Sequence, residues 1–140
     1  MNVKSFLDTN VIVYAFDQSN LKKAKIAQHL IAEGAAEKRA VISYQVVQEF
    51  INVALRGFRI SITRADLESF LLTVLFPIAS VSWSPALTMQ GLRFQAAHQF
   101  GWYDSLIVAA ALQGGCKVLY SEDLQHGQRL GDLVVQNPFI

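Results

Sequence analysis

One short apolar run, and the residues that end it, constrain this chain most. Val3-Lys4-Ser5-Phe6-Leu7 is followed by Asp8-Thr9-Asn10, after which Val11-Ile12-Val13-Tyr14-Ala15-Phe16 resumes the apolar pattern. The first run is rich in β-branched and aromatic residues and reads as a strand. It ends on a carboxylate, a hydroxyl and an amide. In open parallel sheets, ligands sit outside the carboxyl ends of the strands. Asp8 therefore stands where an acidic site would be built, provided other carboxylates reach the same edge.

The remaining sequence supplies the rest of such a sheet. A helix follows Asn10 to about Phe16, with Asn10 or Thr9 as the expected N-cap. Leu21 to about Ala36 reads as an amphipathic helix, weakened near its end by Gly34. Ala40-Val41-Ile42 is a buried strand, and Ser43 caps a helix from Tyr44 to about Arg56 that Gly57 stops. Thr63 caps a helix expected to run from Arg64 to Phe76 and to end at Pro77. Its apolar residues make more than one stripe, so more than one buried face is expected. Ile78 to Trp83 reads as a third strand. Ser84-Pro85 starts a helix to about Phe100, and a further helix runs from Trp102 to about Gln113. Lys117 to Tyr120 is a fourth strand, ending at Ser121-Glu122-Asp123, and Leu133-Val134-Val135 a short last one. Strands alternating with helices predict an α/β chain with a central parallel sheet and right-handed crossovers.

Composition fits that architecture. The 140 residues suit one domain with a real core, and 52% hydrophobic against 16% charged suits a sheet covered on both faces. A net charge of +1 excludes the global basic field of an unspecific nucleic-acid binder. Cys116 is the one cysteine, so no intrachain disulfide forms, which is compatible with a reducing compartment. Asp8 falls where a signal peptide needs its apolar core, and no apolar run approaches the ~18 residues of a membrane span. A soluble, cytoplasmic protein without membrane attachment is expected.

Four acids are the candidate chemistry. Asp8 and Asp123 end strands. Glu49 lies on the Tyr44–Arg56 helix, sharing a face with Val46 and Val53, and Asp104 lies in the first turn of the Trp102–Gln113 helix. Each has a plain structural explanation alone: a cap, a turn, a paired glutamate, an acid at a helix dipole. Together they converge on one sheet edge. Carboxylates within a few ångströms of one another repel by roughly 4 kcal/mol per pair at an effective dielectric near 20. A hard divalent cation offsets that repulsion, and carboxylate oxygens suit Mg²⁺ or Mn²⁺. His29, His98 and His126 are isolated, which disfavours zinc. Thr9, Asn10, Ser43, Ser121 and Glu122 are the polar neighbours of this edge. Such a site suits metal-assisted phosphodiester hydrolysis. The cations for substrate phosphates fall in three clusters, at Lys22, Lys23 and Lys25, at Arg56, Arg59 and Arg64, and at Lys38-Arg39. Tyr14, Trp102 and Tyr103 are candidate stacking groups.

These residues carry a resemblance. Phe6-Leu7-Asp8-Thr9-Asn10, Gln48-Glu49-Phe50, the run from Tyr103 through Ala111, and the run from Leu119 through Gly127 resemble the PIN-domain family, and within it the VapC-type toxins of toxin–antitoxin pairs. The resemblance spans nearly the whole chain, which is expected to be a single PIN domain over residues 1–140. It implies a three-layer α/β/α sandwich and an endoribonuclease using Mg²⁺ or Mn²⁺. Asp8, Glu49, Asp104 and Asp123 match the family's acidic set, as metal ligands or orienters of water. Thr9, Asn10, Ser121 and Glu122 match supporting positions. An RNA substrate, a cognate antitoxin and a homodimer are implied partners, with the apolar helix from Arg64 to Phe76 a plausible contact surface, notably at Phe70 and Leu71. The competing readings are a stand-alone RNA-processing PIN nuclease, a non-catalytic PIN-like binding module, and phosphoryl transfer to Asp8. The last needs a late lysine near the site, and Lys117 begins its strand at the wrong end.

Overall fold

The computed structural model describes residues 3–140. Its described residues form one six-stranded sheet in the order β3-β2-β1-β4-β6-β5. The strands are β1 (Ser5–Leu7), β2 (Ala40–Ser43), β3 (Ala79–Val81), β4 (Val118–Tyr120), β5 (Arg129–Leu130) and β6 (Leu133–Gln136). All neighbours pair in parallel except β5 with β6. The expected α/β class with a central parallel sheet is what the chain forms. β5 is an addition: its two residues fold back on β6 as an antiparallel edge, too short to show a periodicity in sequence.

The helices are α1 (Thr9–Tyr14), α2 (Leu21–Ala36), α3 (Tyr44–Arg56), α4 (Arg64–Phe70), α5 (Phe76–Ile78), α6 (Pro85–His98) and α7 (Trp102–Gln113). β1 leads through α1 and α2 to β2, and β2 through α3 to α5 to β3, both steps in one direction across the sheet. The step from β3 through α6 and α7 to β4 crosses back past β1. With right-handed crossovers, this reversal puts α1–α5 on one face and α6–α7 on the other. It also makes the gap between β1 and β4 a topological switch point. The crevice outside the carboxyl ends of such strands is where open sheets bind ligands. Asp8 follows β1 and Ser121-Glu122-Asp123 follows β4.

Local signals account for most helix ends. Ser43, Thr63 and Ser84 accept hydrogen bonds from the backbone N–H three residues on, and Gly57 takes φ +73° to close α3. The α1 cap differs from expectation. Neither Thr9 nor Asn10 caps it; Asp8 does, with Oδ1 accepting from Thr9 N at 2.7 Å. The strand's last acid and the helix's cap are one residue because no loop separates β1 from α1.

The segment expected as one helix from Arg64 to Phe76 is α4, a π-helical turn at Leu71–Leu75, and α5. Phe76 N–H reaches back five residues to Leu71 O. Pro77 does not stop the helix where expected but sits within α5. It brings no N–H, and its ring crowds the carbonyl one turn back, which suits a widened turn before it. Leu67, Leu71, Leu75 and Ile78 are buried, whereas Leu72 and Phe76 are exposed. Only one face of this segment is covered.

Gly34 is more than a weak spot in α2. It is buried, and a Cβ placed on it would lie 2.8 Å from Ala40 Cβ on β2. In an open helix, Gly→Ala gains about 1 kcal/mol. Here Gly34→Ala is expected to destabilise by about 1–2 kcal/mol, because two backbones must separate. Urea unfolding of the two proteins measures this; a stabilised variant would show that α2 docks more loosely than described.

Candidate active site

The site forms where β1 and β4 end. Asp8 is 5% exposed. Its Oδ1 accepts from Thr9 N, and its Oδ2 accepts from Ser121 Oγ at 2.8 Å. Ser121 Oγ in turn accepts from Asp123 N at 3.1 Å. Asp123 is exposed, and its Oδ2 accepts from Asn10 Nδ2 at 3.0 Å. Asp104, half-buried, approaches from the first turn of α7. One carboxylate oxygen from each of Asp8, Asp104 and Asp123 lies within 4.8 Å of the others. Three acids far apart in sequence and drawn from both faces of the sheet thus meet in one place.

Glu49 stands beside this group. α3 leaves it half-buried at the rim of its apolar stripe, with no arginine partner among the described residues. Oε1 accepts from Thr9 Oγ1 at 2.6 Å, and Oε2 accepts from Gln45 Nε2 at 3.4 Å. All four acids line one open cavity of about 510 Å³, together with Thr9, Asn10 and Arg59.

The electrostatics follow from burial without a counter-ion. Burial pushes the Asp8 carboxyl up to about 7, the neighbouring Asp123 and Asp104 add to the rise, and the bonds from Ser121 and Thr9 oppose it. Asp104 is also raised, by burial first and then by Asp123 and Glu49. A site that disfavours its own charge is one that a cation would relieve. The donors are hard carboxylate oxygens with no imidazole or thiolate among them. They therefore fit Mg²⁺ or Mn²⁺ and not zinc.

Glu122 does not join the acids. Its carboxylate is turned away to Tyr14 Oη at 2.6 Å and to Lys23 Nζ. The Lys23 and Tyr14 bonds hold it below the usual glutamate range against the opposing effect of its partial burial. Lys23 lies over the Tyr14 ring from one side and the Arg59 guanidinium approaches the same ring, 4.9 Å from its centroid. Arg59 is bonded to the buried Asp17 at 2.6 Å. Bonds from Ser19, then Arg59, bring Asp17 down to about 2. This wall of alternating charge, Glu122–Lys23 and Asp17–Arg59 on either side of Tyr14, escaped the sequence reading. No local spacing links residues 14, 17, 23, 59 and 122; each basic residue showed only as part of a surface cluster.

The other expectations separate by position. Lys38-Arg39 precedes β2 and so lies at the amino-terminal edge of the sheet, away from the acids; Arg39 pairs with Glu33 and Glu37. Arg56 and Arg64 are exposed helix-end residues, and neither lines the acidic cavity. Lys117 immediately precedes β4, at the same amino-terminal edge, and pairs loosely with Asp132 at 3.7 Å. It cannot serve phosphoryl transfer to Asp8. Tyr14 is packed edge-on against Phe139 and forms part of the wall. Trp102 packs against Gly91 of α6, whereas Tyr103 is exposed beside Asp104.

This architecture is an α/β fold with an acidic centre at its switch point. The PIN-domain family profile matches residues 5–129, and the chain belongs to the PIN-domain family. No curated protein sequence matches it. Three solved structures of the same fold illustrate its range. The sarcin–ricin-loop-cleaving toxin VapC20 of Mycobacterium tuberculosis is 17% identical, with a TM-score of 0.63 over 86% of this chain and 90% of its own. A toxin–antitoxin complex from Klebsiella pneumoniae is 15% identical, with a TM-score of 0.69 over 96% and 98%. DNA-bound VapBC from Salmonella typhimurium is 18% identical, with a TM-score of 0.63 over 96% and 97%. Among the described residues, no helix is long and apolar enough to cross a membrane.

Two titrations of opposite sign should be visible in the stability of the metal-free protein. Folded Asp8 keeps a proton that the unfolded chain releases near pH 4, so stability falls as pH rises from about 4 to about 7. Mn²⁺ should restore it at pH 7 in the native protein and less in Asp8→Asn. Asp17 acts the other way: its contribution is present above pH 3.8 and is lost as pH falls through about 2. Thermal unfolding against pH, with and without Mn²⁺, reads both. A melting temperature that is flat from pH 4 to 7 would remove the Asp8 account.

Proposed function

We propose that this protein is a divalent-cation-dependent endoribonuclease and the toxin of a toxin–antitoxin pair. The observation that carries the reading is the meeting of Asp8, Asp104 and Asp123, with carboxylate oxygens within 4.8 Å of one another, at the mouth of an open cavity. Structural proteins gain nothing from unpaired acids held so close. Asp8, Asp104 and Asp123 would hold the cation, Mg²⁺ or Mn²⁺. Such an ion, when bound, neutralises phosphoryl oxygens and acidifies water.

The remaining work falls to residues of the chain itself. Glu49 is the acid left at the edge of the group, and Thr9 Oγ1 fixes its carboxylate in place. It is suited to orient the attacking water and accept its proton. Ser121 and Asn10 hold Asp8 and Asp123 by direct hydrogen bonds. They serve as positioning residues. Arg59, bonded to Asp17, is the one basic residue lining the cavity among the described residues and is placed to meet a substrate phosphate. Glu122 is a wall residue in this reading, not a ligand.

The toxin assignment takes its support from the three solved structures, one a sarcin–ricin-loop-cleaving toxin, one a toxin–antitoxin complex and one DNA-bound VapBC. The partner surface proposed is the open groove between α3 and the α4–α5 segment, where Leu55, Leu72 and Phe76 are exposed. Phe70 does not line it, and Leu71 reaches it only as part of its buried floor. Phe70 packs with Phe16 and Phe50, and Leu71 is buried, so charges there would unfold the core. The groove would take the antitoxin or a second copy of the chain.

The test is incubation of partner-free protein with total bacterial RNA in Mg²⁺, Mn²⁺ or EDTA, followed by sequencing of new ends. Discrete metal-dependent cuts are expected. Asp104→Asn should abolish them, Glu49→Gln should slow them by about 10²-fold, and Ser121→Ala by roughly tenfold. A folded protein that binds Mn²⁺ and cuts no RNA would overturn the reading.

A further inference from the structure

A second cavity, of about 440 Å³, opens beside the acidic one and shares Gln45, Glu49, Asn52 and Tyr103 with it. Its volume is that of a small-ligand site. The floor is apolar, built from Val81, Leu87, Leu106 and Ala110, and the rim carries three aromatic rings and a line of amides. Tyr44, Trp83 and Tyr103 are all largely exposed, Trp83 at 68%. Exposed aromatic rings on opposite elements around one slot are costly for a surface that touches only water. Trp83 is also held: its Nε1 donates to Thr88 Oγ1 at 3.1 Å, and Thr88 Oγ1 donates to Ser84 O. A pinned, exposed indole is a ready platform for a flat ligand.

The sequence explains why the slot lies here. Trp83 follows the carboxyl end of β3, so it stands on the same sheet edge as Asp8 and Asp123. Tyr44 and Gln48 project from the first turns of α3, which starts directly at the end of β2. Tyr103 immediately precedes Asp104. Gln48 and Asn52 are both exposed and have no side-chain hydrogen bond among the described residues. Each offers a donor and an acceptor to a ligand edge.

We infer that this second cavity is a nucleobase subsite, in which an unpaired base flanking the cut phosphate stacks on Trp83 and is read by the amides of Gln48 and Asn52. This rests on the nuclease reading above and adds to it the place where a base beside the cut is held. Recognition of unpaired RNA bases by aromatic stacking and by hydrogen bonds to base edges is the usual mode, and aromatic platforms tolerate any base because each has a π-face. A paired base has its edge occupied and its faces stacked, so a duplex cannot enter. Because the two cavities share Gln45, Glu49, Asn52 and Tyr103, a base in one would neighbour a phosphate in the other.

Binding is measured separately from cutting, with the Asp104→Asn protein in Mg²⁺ and 12-nucleotide fluorescein-labelled RNA homopolymers, single-stranded and as A·U duplex. The single strands should bind at least tenfold tighter than the duplex. Trp83→Ala should weaken single-strand binding about tenfold, with Trp83→Phe retaining most of it, and Gln48→Ala should narrow the differences between bases. In the otherwise native protein, the same Trp83→Ala change should raise KM for RNA with kcat little altered. Equal affinity for duplex and single strand, or binding indifferent to Trp83→Ala, would overturn the inference. So would a change of oligomeric state by light scattering in Trp83→Ala with RNA binding unchanged, which would assign the slot to a second copy of the chain. Trp83-dependent binding without any metal-dependent cutting would overturn the nuclease reading alone; cutting that needs Asp8 but ignores Trp83 would overturn only the subsite.

Discussion

Burial of one carboxylate at the end of the central strand governs this molecule. Asp8 sits between the sheet and α1, almost without solvent, and is asked to cap a helix and to accept from Ser121 at once. Each of those bonds favours the charged form, yet burial outweighs them. The imbalance has consequences in both directions. It fixes the junction of β1 and α1 rigidly, since Asp8 N also donates to Tyr120 O of β4 at 3.0 Å. It also leaves the site short of positive charge, which is the physical basis for reading it as a cation site. Structure and chemistry depend on the same few bonds.

Beside that centre, four charges are compensated. Glu122, Lys23, Asp17 and Arg59 pair off around the Tyr14 ring, and Phe139 near the carboxyl terminus closes the stack. Asp8, Glu49, Asp104 and Asp123 have no ion pair among the described residues. The contrast matters because the two groups lie a residue apart in sequence: Glu122 is neutralised and Asp123 is not. Both line the cavity, but Glu122 is held to Tyr14 and Lys23 at its wall, whereas Asp123 meets Asp8 and Asp104. The cavity's second lobe extends away from the charge toward aromatic and amide side chains, so one continuous cleft changes from anionic to apolar along its length.

The sheet's brevity shapes what is exposed. Strands of two to four residues supply little ladder, so the helices carry most of the core. The buried small face of α7, from Ala109 to Ala111, and the close approach of Gly34 to Ala40 let helices lie near the sheet. The α4–α5 segment is the exception, since its widened turn rotates Leu72 and Phe76 away from the core.

The sequence by itself determined the helix starts at Ser43, Thr63 and Ser84, the stop at Gly57, the parallel sheet, and the four acids that end up around one cavity. These are legible because caps, turns and period-2 or period-3.6 patterns are local physics. It could place the acids on an edge, but the ranking among them was decided by tertiary structure. Asp8, Asp104 and Asp123 form the close group, Glu49 is drawn aside by Thr9, and Glu122 is captured by Lys23 and Tyr14. Tertiary structure also decided that Asp8 is the α1 cap, that Pro77 sits inside a helix after a π turn, and that Phe70 and Leu71 belong to the core. Each of these depends on what arrives from a distant part of the chain. A side chain's rotamer and partners answer to the packing around it, and the sequence records that packing only through residues far apart.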